Sequence, residues 1–153
     1  MADFTLARST RILAPAARIH ALLEDFHQWQ RWSPWEGVDP DLKRDYSGAR
    51  AGVGSVYRWS GNRKAGEGEM RMTESTISRV AVDLDFLKPF KASNVTTFDL
   101  APSGDGTDVT WTMTGTRSAV MGLMGKLFFD NAIAGDFDKG LAALKREAEH
   151  TTP

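Results

Sequence analysis

Residues 53–115 repeat with a period of two, and beyond residue 115 the period changes to that of a helix; this switch limits the possible folds more than any other feature. Val53, Tyr57 and Trp59 share one phase, followed by Met70 and Met72, by Val80, Val82, Leu84 and Phe86, and by Val109, Trp111 and Met113. Arg58, Arg71, Asp83, Asp108 and Thr110 fall on the other phase. Alternate side chains of a strand point to opposite faces, so these runs of five to nine residues predict strands with one apolar face and one wet face. Their separators, SGNRKAGEG and PSGDGT, are glycine-rich hairpin loops, and such short connections make an antiparallel meander.

After this meander, Phe129, Ile133, Phe137, Leu141, Leu144 and Ala148 recur every three or four residues, which predicts a long amphipathic helix ending near Glu149. Gly135 and Gly140 fall inside it, each costing about 1 kcal/mol against alanine, so a close approach of the helix to a neighbour, or a bend, is expected. Ahead of the meander, residues 4–12 alternate loosely as an edge strand. Pro15 suits a first helical turn, and Ile19, Leu22, Leu23 and Phe26 carry the helical spacing. Residues 28–32 predict a second short helix, which Pro34 ends by disfavouring helical geometry at Ser33. The order is that of an α+β fold in which the last helix covers the apolar face of the sheet.

A length of 153 residues suits one domain spanning 1–153, with an ordered core at about 4–149, because two halves would each bury too little without disulfides or metal. Nineteen basic and twenty acidic side chains leave a net charge of −1, so no global field draws the chain to nucleic acid or an anionic membrane. No cysteine is present, which excludes disulfides, thiolate nucleophiles and Cys-built zinc sites and fits a cytoplasmic location. Asp3, Arg8 and Arg11 interrupt any signal-like apolar run, and SAVMGLMG is far too short to span a bilayer.

The segments DFHQWQRWSPWE, DYSGARAGVGSVYRWSGN, GEGEM, TDVTWTMTG and GDFDKGLAALK resemble the polyketide cyclase/dehydrase and lipid-transport-like branch of the START-related (SRPBCC) superfamily. The likeness runs from about Thr10 to Glu149, with Trp-Ser-Pro-Trp and Gly-Val-Gly-Ser as its most specific motifs. It implies a helix-grip fold, a curved antiparallel sheet wrapped round the carboxy-terminal helix, with a cavity for a hydrophobic molecule between them. Members include binders, transporters and cyclases, so the resemblance does not choose an activity.

Candidate ligand-binding residues follow from the inward phases. Three of the five tryptophans, Trp29, Trp32 and Trp35, lie within one short stretch. Trp29 and Trp32 are expected to brace the short helix against the sheet, and Trp35, beyond the proline, to close one end of a pocket. Tyr57, Trp59, Met70, Met72, Leu84 and Phe86 supply one part of the apolar wall, and Trp111, Met113, Phe129, Ile133 and Phe137 the rest. Methionine adapts to irregular shapes, and six in the chain favour a pliable pocket. The stretch SAVMGLMGKLFFDNAIAG, with its glycines and aromatics, is expected to gate the cavity.

Reactive groupings are sparse. His20 and His27 lie seven residues apart, not at a metal-ligand spacing, and both read as solvated, so neither a metal nor a cofactor is expected. GARAGVGS lacks the lysine ending of a phosphate cradle, and Ser33, Ser55 and Ser118 have no matched base. Tyr57 is the clearest polar group on the inward phase, placed to hydrogen-bond or protonate a carbonyl oxygen. Asp130 and Asn131 flank the inward stripe of the last helix, and Glu36 and Asp39 follow Trp35 toward the expected mouth. Three readings stay open: a binder of a small or medium hydrophobic ligand, lipid or polyketide-like; a cyclase or dehydratase using the same cavity; and a protein-partner module. Monomer and homodimer are both compatible with the sequence.

Overall fold

The computed structural model describes residues 3–34, 40–62, 66–88, 92–116 and 126–150; of residues 3, 4, 92, 116 and 126–134 it describes the backbone alone. Along the chain come β1 (Asp3–Ile12), α1 (Ala16–Leu23), a 3-10 turn (Phe26–Arg31), β2 (Lys43–Gly48), β3 (Ser55–Ser60), β4 (Glu67–Thr76), β5 (Arg79–Lys88), β6 (Ala92–Ser103), β7 (Gly106–Thr116) and α2 (Lys126–His150). The strands form one curved antiparallel sheet in the order β1-β7-β6-β5-β4-β3-β2, with α2 against it and α1 after the first strand. This is the α+β meander with a covering helix that the period switch predicted, and the helix-grip arrangement that the resemblance implied.

Directly paired residues of an antiparallel sheet share a face, so the register identifies the inward rows. One runs Tyr46, Tyr57, Met70, Leu84, Asn94, Gly115. A second runs Met72, Val82, Thr96, Met113, Leu6, and a third Val80, Phe98, Trp111, Arg8. Ion pairs mark the opposite face, among them Arg58 with Glu69 at 3.2 Å and Arg79 with Glu74 at 3.3 Å.

The sequence reading differs from this in two places. Val53 is 60% exposed and lies ahead of β3, because Gly52 and Gly54 adopt positive φ and turn the chain there; the inward phase begins at Ser55. β2 carries no apolar alternation, since Tyr46 is its one bulky apolar residue, and its Lys43, Arg44 and Asp45 suit a strand at the edge of the sheet.

Aromatic packing seats the helices. Trp29 donates its indole N–H to the Leu23 carbonyl at 2.9 Å and Trp32 donates to that of Leu22 at 3.0 Å, so both indoles satisfy the last carbonyls of α1. The rings of Trp29 and Trp32 meet Phe98 edge-on at 5.8 and 5.7 Å, which braces the 3-10 turn against the sheet as expected. Trp111 stacks on Phe137 of α2 at 4.1 Å. Gly140 lies one turn further on, where an added Cβ would stand 2.7 Å from the Trp111 ring and 2.9 Å from Pro34. That is the close approach its helix cost implied; at Gly135 an added Cβ meets nothing within 4 Å among the described residues.

The far end of α2 is tied down by Glu149, whose carboxylate accepts from the Leu13 backbone N–H at 2.8 Å and from Lys145 Nζ at 2.6 Å. The Leu13 bond, then that from Lys145, holds the carboxyl below the ordinary glutamate value of 4.5. A depressed carboxylate stabilises the fold above its unfolded pKa and loses that contribution as pH falls through the folded one. Glu149→Gln is therefore expected to lower the urea midpoint at neutral pH, and the gap to wild type is expected to close in strong acid. An equal gap at both pH values would contradict this linkage.

Candidate functional site

The inward face divides into a sealed part and a more open part. Met72, Trp111, Met113 and Phe137 are each no more than 1% exposed, inside a core that also holds Trp32 and Phe98. Toward the β2 edge, Trp59, Met70 and Phe86 are only partly buried against that core, with Tyr57 and Leu84 buried beside them. The register explains the grouping: Tyr57, Met70 and Leu84 lie across from one another on three successive strands. Trp59 and Phe86 both face Gly68, one strand between them.

Gly68 decides how that second row packs. A methyl group there would stand 2.7 Å from the Asp85 carbonyl oxygen and would run into the indole of Trp59. Without it the indole lies flat across the strand and reaches Phe86 edge-on, with centroids 5.9 Å apart. Tyr57 is flanked by Trp59 at 6.1 Å, Tyr46 at 5.2 Å and Phe26 at 6.0 Å, so its phenol stands in an aromatic surround. Arg44 faces Trp59 in the β2–β3 register and brings a cation to the rim of this wall.

Three contacts fix the course of α2 along the sheet. Arg8 pairs with Asp138 at 3.7 Å, Lys145 donates to the Arg11 carbonyl at 2.8 Å, and Glu149 accepts from Leu13. From Asp138 to Glu149 a helix rises about 16 Å, and from Arg8 to Leu13 a strand rises about the same, so helix and strand run side by side in the same sense. The same line carries the first turns of α2 back past Leu6 and Gly115. There the inward rows pass through Asn94 and Thr96, two buried polar residues of β6.

Trp35, Glu36 and Asp39 lie outside the described residues, as do residues 117–125 of the expected gate and the side chains of Phe129, Asp130, Asn131 and Ile133. A groove of about 540 Å³ occurs on the opposite face of the sheet, lined by Thr5, Asp83, Asp85, Ser93, Val95 and Thr114 together with Asn94 and Gly115. The first six carry the outward phase, so this groove is not the space between sheet and helix.

Sequence reasoning missed two features. Asn94, Thr96 and Phe98 form the inward phase of β6, but Val95, 41% exposed, falls between the first two and hides the alternation. His20, expected in solvent, is instead largely buried, with its ring nitrogens 2.9 Å from Ser75 Oγ and 2.9 Å from Glu24 Oε2. A hydroxyl, an imidazole and a carboxylate in sequence have the connectivity of a hydrolytic triad. Ser75, however, sits within β4 opposite Val80, not at a turn or helix start that would offer oxyanion donors, and the three side chains serve to fasten α1 to β4. Among the described residues no cluster of three His, Asp or Glu side chains is placed to hold a metal.

The family described as polyketide cyclase/dehydrase and lipid transport matches residues 3–149. Among proteins of curated function none matches this chain. Solved structures with the same architecture include protein MLL2253 from Mesorhizobium loti, 16% identical with a TM-score of 0.72, the match covering 98% of this chain and 100% of that one. Ara h 8.0201, 9% identical, gives a TM-score of 0.67 over 96% of this chain and 98% of its own. DynU16, a protein of the dynemicin biosynthetic locus, is 12% identical with a TM-score of 0.66, over 97% of this chain and 48% of its own. At these identities the likeness is one of fold.

Proposed function

The chain belongs to the polyketide cyclase/dehydrase and lipid-transport family, and on that footing we propose that it binds a small or medium hydrophobic molecule against the inward wall of β3, β4 and β5. The observation that carries this reading is the contrast within one face: Trp59, Met70 and Phe86 remain partly exposed while Met72, Trp111 and Met113, with Phe137 of α2 against them, are closed to solvent. Large apolar side chains with one accessible side are what a ligand covers, and removing that area from water supplies the affinity. Tyr57 and Leu84 continue the wall, and Trp35, Phe129 and Ile133 are assigned to its remaining sides. Met72, Trp111, Met113 and Phe137 form the packed floor that holds it in shape.

Titration with N-phenyl-1-naphthylamine, an uncharged probe that fluoresces in apolar surroundings, tests this. Saturable one-to-one binding is expected, and Trp59→Ala and Met70→Gln are each expected to weaken it about tenfold, the effect of losing roughly a buried side chain's worth of contact. Both positions are partly exposed, so far-ultraviolet circular dichroism is expected to stay unchanged. Absence of saturable binding, or equal binding by both variants, would overturn the assignment.

A second reading is enzymatic, and the position of Tyr57 favours it. A phenol within an apolar aromatic surround can polarise a substrate carbonyl, and holding a flexible chain folded lowers a cyclisation barrier through proximity alone. The family's description as polyketide cyclase/dehydrase makes polyketide-like substrates the first to try. With a substrate that turns over, Tyr57→Phe is expected to lower kcat with KM little changed; full activity in that variant would remove Tyr57 from the role.

A further inference from the structure

Resting on the binding reading above and deepening it, we infer that Asn94 and Thr96 form a hydrogen-bonding anchor for a neutral oxygen, a ketone or hydroxyl, on an otherwise apolar ligand. Both residues are 4% exposed. The amide nitrogen and oxygen of Asn94 and the hydroxyl of Thr96 have no hydrogen-bond partner among the described residues. Native interiors pair such atoms almost without exception, because a buried amide or hydroxyl left without a partner costs folding free energy. Two of them side by side on one strand make a cost that a ligand repays.

The backbone is arranged to keep the amide where it is. Asn94 lies between Leu84 and Gly115 in register, and Thr96 between Val82 and Met113. A Cβ at Gly115 would collide with the Asn94 side-chain oxygen, so the amide lies across a strand that has no side chain to displace it. Residues two apart on a strand point to the same face about 7 Å from one another, within reach of one ligand group.

The surroundings define the ligand's chemistry. Met70 and Leu84 separate Asn94 from Tyr57 along one row, a span of three strand spacings, on the order of 14 Å. No ionised side chain belongs to that row from Tyr46 to Gly115, so a buried carboxylate or ammonium would lack a counter-charge there. An amide and a hydroxyl each offer a donor and an acceptor, which suits a carbonyl oxygen or an alcohol. The fitting ligand is an extended or flat apolar skeleton with an uncharged oxygen at the end nearest β6.

A matched pair of probes separates this inference from the reading beneath it. 2-Acetylnaphthalene and 2-ethylnaphthalene share a skeleton and are close in size, and they differ by a ketone in place of a methylene. In calorimetric titrations, Asn94→Leu and Thr96→Val are expected to weaken the ketone about tenfold while changing the hydrocarbon by less than about twofold. Asn94→Leu without ligand is also expected to melt higher than wild type, by about 3 °C, because it removes an unpaired buried amide. Equal losses for the two probes, or no loss for either, would overturn the anchor while leaving apolar binding in place. A lower melting temperature for Asn94→Leu would overturn it as well, since the amide would then be held by the protein itself. Failure of wild type to bind either probe would count against the apolar site and the anchor together.

Discussion

The stack of Trp111 on Phe137, 4.1 Å between ring centroids, fixes where α2 meets the sheet, and the rest of the architecture is arranged around that contact. Trp32 and Phe98 close on Trp111 from the other side, and Gly140 lets Pro34 and the indole reach the helix backbone. Several aromatic rings buried at one point dominate the energetics of a chain this size, since each takes 150 to 250 Å² out of water. A helix has one apolar stripe, however, and a seven-stranded sheet has more inward surface than one stripe can cover. The strands far from Trp111 are therefore left with their apolar side chains partly bare.

That imbalance is the basis of the proposed binding site. Where α2 and the 3-10 turn press on the sheet, the interior is solid. Where they do not, Trp59, Met70 and Phe86 line a wall whose shape is set by Gly68 beneath the indole, and Asn94 lies over Gly115 in the same manner on β6. Two glycines, each opposite a large or polar inward side chain, let those groups lie along the sheet. Such a surface is suited to a flat or elongated guest.

Much of this was legible in the sequence, because hydrophobic period reports on burial directly. The phases holding Tyr57, Trp59, Met70, Leu84 and Trp111 placed those residues on the inward face, and the stripe from Phe137 to Ala148 placed α2 against the sheet. The indoles of Trp29 and Trp32 were likewise readable as a brace, since a buried indole N–H needs a carbonyl. What period cannot express is how far a covering helix extends, so it did not separate floor from wall. β2 escaped because Tyr46 is its one bulky apolar residue and no alternation can be seen from one position, and Asn94 and Thr96 escaped because polar residues at inward positions break the very pattern used to find inward positions. His20 read as solvated because its partners, Ser75 and Glu24, come together only through the packing of α1 on β4.

Methyl labelling of the methionines tests the division between floor and wall most directly. In a titration with N-phenyl-1-naphthylamine followed by the carbon-13 methyl signals, Met70 is expected to shift saturably at one equivalent, with Met72 and Met113 nearly still. Equal movement of all three signals, or a stationary Met70 while the probe binds, would contradict an account in which the guest rests on the wall and leaves the core untouched.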